Sequence, residues 1–213
     1  MMRLATAAAL LVQLASALPQ ARIGLTTFDR APATTQTWRS ENDPVMGGVS
    51  TGSFAVDSGR KVGVWKGEVK VVPKLQAPGF CTARTQSTFP DISSADGLLV
   101  TARATGDLKT VKVTMDSSVR SSPRQGEFEG SFKLTPTMST HFIPFASMTQ
   151  SWRGQKEGGA PSKAQLAKIT GIGFIEDGTA GKFDFEILSI AAGSATPDPT
   201  PTPPPGPPSC EDG

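Results

Sequence analysis

The amino-acid sequence predicts an all-β sandwich or barrel with one short helix. Three observations carry the prediction. Apolar and polar side chains alternate in short runs, Gly, Pro, Ser and Asp fill the connections between them, and only one segment has the chemistry of a helix start. With 22 glycines and 18 prolines in 213 residues, the chain is built to turn often.

The first pattern is Val62-Gly63-Val64-Trp65 with Val69-Lys70-Val71-Val72, read as one or two strands. Leu98 to Ala102 is the next strand. In Val111-Lys112-Val113-Thr114-Met115 the two valines and the methionine share one face, because successive side chains on a strand point to opposite sides. Phe128 to Leu134 repeats this with aromatics inward, and His141 to Phe145 follows it. Ile172 to Ile175 and Phe183 to Leu188 complete a set of about eight strands, the number expected of a sandwich. The helix is Ser162 to Lys168, where Ser162 and Gln165 stand at capping-box spacing. No period of roughly 20 to 50 residues repeats, which speaks against propellers and solenoids.

Hydrophobic residues make up 37% of the chain, enough for one core. The 21 Lys and Arg against 19 Asp and Glu leave a formal charge of +2, too near neutrality for a nucleic-acid surface or a polybasic membrane anchor. Two cysteines and one histidine exclude Cys-rich zinc and iron–sulfur sites and HExxH proteases by count. No metal or cofactor is expected.

Both ends differ in composition from the body. Met1-Met2-Arg3, the apolar run Leu4 to Leu14 and Ala15-Ser16-Ala17 have the three parts of a secretory signal over residues 1–17; an organellar presequence is the alternative. The expected address is therefore the secretory pathway or the exterior, with the mitochondrion as alternative. No later segment approaches the roughly 20 apolar residues of a spanning helix, so no stable membrane insertion is expected. Residues 193–213 are rich in Pro and Thr and read as a disordered, extended tail, with O-linked sugars a further reading if the chain is secreted. Asn42, the only asparagine, is followed by Asp-Pro and forms no N-glycosylation acceptor. Cys81 in the body reads as a buried free thiol; an oxidising compartment also permits a bridge to Cys210 in the tail.

The most distinctive stretch is Trp38-Arg39-Ser40-Glu41-Asn42-Asp43-Pro44-Val45-Met46-Gly47-Gly48-Val49-Ser50. Asn42 and Asp43 can turn the chain through side-chain to backbone hydrogen bonds, Pro44 fixes the next φ, and Gly47-Gly48 permits positive φ or close backbone approach. It is a structured loop leading into a strand.

Asn42-Asp43-x-Val45-Met46-Gly47-Gly48-Val49-Ser50, with Gly79-Phe80 and Arg84, Asp91-Ile92-Ser93, Gly97-Leu98, Ile143-Pro144-Phe145, Ile172-Gly173-Phe174 and Gly181-Lys182-Phe183-x-Phe185-Glu186-Ile187-x-Ser189-Ile190, resembles the complex I intermediate-associated protein 30 family. The resemblance spans a domain placed at residues 26–192. It implies a galactose-binding-like jelly-roll β-sandwich, and a non-enzymatic, chaperone-like assembly factor that binds intermediates of the mitochondrial NADH:ubiquinone oxidoreductase. It supplies no catalytic residues.

Catalytic constellations are weak on the residues themselves. His141 precedes Phe142-Ile143-Pro144 in a strand and no Gly-x-Ser-x-Gly elbow accompanies it. Asp184 and Glu186 alternate with Phe183, Phe185 and Ile187 and read as a solvated face. Asp91, Asp96 and Asp116 are not grouped in a calcium loop, and Gly171-Ile172-Gly173 leads into a strand, unlike a phosphate cradle. Binding is better supported. The candidate partner- or ligand-binding residues are Trp38, Asn42, Asp43, Gly47, Gly48, Ser50, Trp152 and Arg153. Thr149 to Gly159 reads as a long polar loop suited to a contact surface. The expected partner is a protein. The alternative is a glycan held by a secreted carbohydrate-binding module, with Trp38, Trp65 or Trp152 as stacking surface and Asn42, Asp43 or Arg153 as hydrogen-bond partners.

Overall fold

A computed structural model describes residues 21–43, 47–120 and 126–195. The segment 1–17 read as a signal, Pro44-Val45-Met46 of the motif, most of residues 193–213, and Cys210 with the bridge proposed for it lie outside the described residues. The strands in chain order are β1 Ile23–Thr27, β2 Trp38–Asn42, β3 Thr51–Asp57, β4 Val62–Val69, β5 Val71–Val72, β6 Ala77–Pro78, β7 Cys81–Gln86, β8 Gly97–Gly106, β9 Thr110–Ser117, β10 Glu127–Lys133, β11 Ser139–Pro144, β12 Thr149–Trp152, β13 Gln155–Gly158, β14 Ile169–Glu176 and β15 Gly181–Gly193. The α-helix among the described residues is α1, Lys163–Leu166. Among the described residues the first strand is β1, which starts at Ile23 and pairs with the end of β15.

Two antiparallel sheets make the sandwich. One runs β11-β8-β15-β4-β3, with β1 added beside β15; the other runs β13-β12-β10-β9-β14-β7-β2; β5 and β6 form a separate small ribbon. The alternation predicted for β9 holds: Val111, Val113 and Met115 are buried and oppose Phe132, Gly130 and Phe128 of β10. From the other sheet, Trp65, Phe185 and Ile187 enter the same continuous core, with Phe183 and Phe185 packed edge-on against the Trp65 ring. At the helix start Ser162 Oγ accepts the Gln165 N–H and Gln165 Oε1 accepts the Ser162 N–H at 2.9 Å, the reciprocal bonds of a capping box.

Two expectations need correction. Thr149 to Gly159 is not a long loop: β12 and β13 form a hairpin. Its turn is Arg153-Gly154, both at positive φ (50° and 76°), the backbone of a tight two-residue turn. Gly171 and Gly173 lie inside β14 and do not precede it. A Cβ on Gly173 would stand 2.8 Å from the Arg84 Cβ on β7, so the glycine permits close side-by-side packing of the two strands.

Candidate functional site

The motif loop is built around one buried carboxylate. Asp43, 3% exposed at the end of β2, accepts the Ser50 N–H through Oδ1 at 3.0 Å. Its Oδ2 accepts the Ser50 hydroxyl at 3.1 Å and the Phe80 N–H at 3.3 Å. Ser50 Oγ in turn accepts the Lys70 N–H at 3.1 Å. One carboxylate therefore ties the β2–β3 loop to both ends of the excursion between β4 and β7. Two glycines make room for it. A Cβ on Gly79 would fall 1.6 Å from Asp43 Oδ2, and one on Gly48 would fall 1.7 Å from the Asp43 carbonyl oxygen. Gly47 has φ 78° and open space where a Cβ would stand, so its role is conformational. Asn42 donates from Nδ2 to the Gly52 carbonyl at 3.3 Å, linking the edge strands of the two sheets.

Asn42, Asp43, Gly48 and Ser50 are thus brought together, with their hydrogen-bonding groups turned inward. Trp38, also on β2, is stacked on Phe54 at 4.7 Å and on Phe174 at 6.0 Å between centroids, which makes it part of the core margin. The desolvated Cys81 thiol lies nearby, its pKa pushed up to about 12 by burial and by the Asp43 and Glu176 carboxylates. A thiol held protonated in this way is a poor nucleophile.

Trp152 and Arg153 lie elsewhere. β2 and β12 are five strand spacings apart in the seven-stranded sheet, roughly 24 Å, so Trp38 and Trp152 do not share a site. Trp152 is 40% exposed, but the Arg153 guanidinium lies over its ring at 5.6 Å from the centroid. The one exposed tryptophan already has a cation on its face.

Sequence reasoning missed a further surface, the outer face of the seven-stranded sheet. The register gathers Arg84, Lys112, Thr114, Asp116, Glu127 and Glu129 there, and alternation turns every aromatic of β2, β7, β9, β10 and β14 to the opposite side. Arg84 pairs with Glu127 across the two intervening strands β14 and β9. Lys112 Nζ contacts Asp177 Oδ2 at 2.7 Å and Glu129 Oε2 at 3.5 Å. Burial pushes the Asp116 carboxyl up to about 6, the Glu127 charge adds to this, and Arg84 and Arg120 oppose it. The available signal was the glycine pair inside β14 beside alternating charges on β9 and β10.

Groups that resemble catalytic pairs have structural partners. His141 Nε2 is 3.1 Å from Ser139 Oγ, and burial lowers the imidazole pKa against a hydrogen bond to Ala102, so the ring is neutral at pH 7. Glu186 is 8% exposed, not solvated as expected, and is held by Arg60 at 2.6 Å and Arg103 at 2.8 Å, while Asp184 meets Lys66 at 2.9 Å. Among the described residues, no three His, Cys, Asp or Glu are grouped to hold a metal ion.

Compared with known protein families, residues 27–187 match Complex I intermediate-associated protein 30. The chain belongs to the complex I intermediate-associated protein 30 family. The family span runs from the end of β1 into β15, and so takes in the Asp43 brace, both sheets and the outer face around Arg84. No curated protein matches the chain.

Among solved structures, the chain is similar to the family 11 carbohydrate-binding module of the cellulosomal cellulase Lic26A-Cel5E of Clostridium thermocellum. The TM-score is 0.55 at 14% identity, with 84% of this chain and 97% of that one covered. The same module in complex with a β-1,3-1,4-mixed-linked tetrasaccharide gives 0.54 at 15% identity, over 81% and 97%. Its solution structure gives 0.53 at 15% identity, over 86% and 100%. At such identities the likeness concerns the fold: this member of the family is a galactose-binding-like jelly-roll sandwich.

Proposed function

We propose that this chain is a non-enzymatic protein-binding domain that acts as a chaperone-like assembly factor on intermediates of respiratory complex I. The observation that carries the proposal is the family match across residues 27–187. The site geometry supports it, because the motif's polar groups hold loops in place and leave recognition to the surfaces around them. The non-catalytic reading is supported by His141, whose ring lies on a strand between Ser139 and a backbone carbonyl. Blue-native electrophoresis of mitochondria from cells lacking the chain is the test. Accumulated complex I intermediates, cleared when the chain is restored, are the expected result; normal assembly in its absence overturns the proposal.

The second reading is a secreted carbohydrate-binding module on a Pro/Thr-rich spacer. It is favoured by the fold shared with modules such as the one solved with a mixed-linked tetrasaccharide. Against it stand the aromatic-free outer face and the Arg153 side chain over Trp152, because sugar sites draw on open aromatic surfaces. Glycan-array binding lost on Trp152→Ala would establish it. The composition of Met1 to Ala17 supports the secretory pathway as address, which goes with the second reading; the first reading goes with the alternative address, the mitochondrion. N-terminal sequencing of the mature chain from fractionated cells decides between them.

A further inference from the structure

Six large apolar side chains are exposed among the described residues. Val56, Trp152 and Leu188 are scattered singly, as on most surfaces. Val49, Val71 and Leu75, exposed at 49%, 46% and 51%, differ in placement: all three belong to the two segments that Asp43 ties together.

These segments form one rim of the sandwich. Val49 precedes Ser50, whose hydroxyl takes the Lys70 N–H, and Val71 follows Lys70 in β5. The Gly79 N–H donates to the Lys70 carbonyl at 2.8 Å, closing the base of the excursion. At its tip the Leu75 and Gln76 N–H groups both donate to the Val72 carbonyl, at 3.0 and 2.9 Å, and fix the turn that displays Leu75. A rim pinned this way loses little conformational freedom when something docks on it. Turn formation alone does not call for aliphatic side chains here, since polar residues serve as well at exposed turn positions.

The flanking charge is positive. Lys70 is balanced in part by Glu68 at 3.5 Å, and Lys74 has no acidic partner among the described residues. Two lysines fall short of the cluster of about four to eight cationic residues that marks recognition of anionic lipid. Aliphatic contacts ringed by a modest positive charge suit a protein segment instead.

We propose that the Val49–Val71–Leu75 rim is the docking surface for the protein partner, and that it receives a segment presenting aliphatic side chains flanked by carboxylates. This rests on the protein-binding reading above and adds the place and the partner's chemistry.

The test uses the purified full chain and detergent-solubilised complex I intermediates, with co-migration on blue-native gels as readout. Val71→Asp with Leu75→Asp is expected to weaken association at least about tenfold. Lys70→Glu with Lys74→Glu should weaken it severalfold and flatten its salt dependence. All four positions are exposed, so circular dichroism and Tm should match the wild type. If the wild type associates and both double variants associate equally well, the rim is wrong and the protein-binding reading survives. If the wild type does not associate, that reading falls and the rim proposal with it. If the wild type sediments with phosphatidylcholine vesicles containing phosphatidylserine and the Asp variant does not, the rim serves a lipid surface and the proposal is overturned.

Discussion

Asp43 and Ser50 grip each other through both the amide and the hydroxyl of the serine, at 3.0 and 3.1 Å, seven residues apart in the chain. Neither side chain retains a free face toward solvent, since both are under 10% exposed. Removing the carboxylate strands the Ser50 and Phe80 N–H groups in a buried site, where each unsatisfied donor costs about 1–3 kcal/mol. Asp43→Ala should therefore lower stability by about 2–4 kcal/mol in urea unfolding. A loss under about 0.5 kcal/mol would show that the brace is dispensable.

The tryptophans should separate by role. Trp38→Ala opens a gap between Phe54, Phe174 and Phe28 and is expected to cost about 3 kcal/mol. Trp152→Ala, on an exposed hairpin, should cost less than about 1 kcal/mol. Equal effects in thermal melts would contradict this division.

Asp116 gives the outer face a pH signature. Its native pKa, about 6, lies above its ordinary value of 3.8, so the folded protein holds this proton more tightly than the unfolded chain. The stability it contributes is complete below pH 3.8 and is lost as pH rises through about 6. Asp116→Asn should remove that slope and raise stability at pH 7 by about 1 kcal/mol, after allowance for partial solvent contact. An unchanged pH–Tm curve between pH 4 and 7 would refute it, those limits being set by the ordinary and shifted values.

Glu186 has the opposite sign. Burial raises its pKa, but hydrogen bonds from Arg103 and Arg60 prevail and lower it below the ordinary 4.5. Its contribution is present above pH 4.5 and is lost as pH falls through the lower native value. Glu186→Gln should cost about 1–2 kcal/mol at pH 7 and make acid unfolding less steep, as read by fluorescence from the buried Trp65. Unaltered steepness would rule out this carboxylate as a source of acid sensitivity.

Legibility in the sequence followed periodicity. β9 and β10 alternate cleanly, and the Ser162–Gln165 cap is a local pattern, so both could be read directly. β12 and β13 contain Thr-Gln-Ser-Trp and Gln-Lys-Glu-Gly, with no apolar alternation, and the intervening Arg153-Gly154 turn lacks the usual Asn-Gly or Asp-Gly signal. The loop residues of the motif were legible as a turn. That Asp43 would be buried depends on Phe80, 37 residues onward, and no local pattern encodes such a meeting. The Arg84–Glu127 pair, 43 residues apart, is likewise a product of strand order.

β15 joins β8 along one edge, and β4 and then β1 along the other, so the six-stranded sheet has no centre without residues 181–193. During synthesis, β1 leaves the ribosome early and waits for a neighbour made more than 150 residues later, the interval between Thr27 and Ser189. Until then β4 and β8 each have an unpaired edge where β15 will lie, and unpaired strand edges invite pairing with other chains. Loss of even a few residues from β15 should abolish folding as a whole and leave no stable fragment.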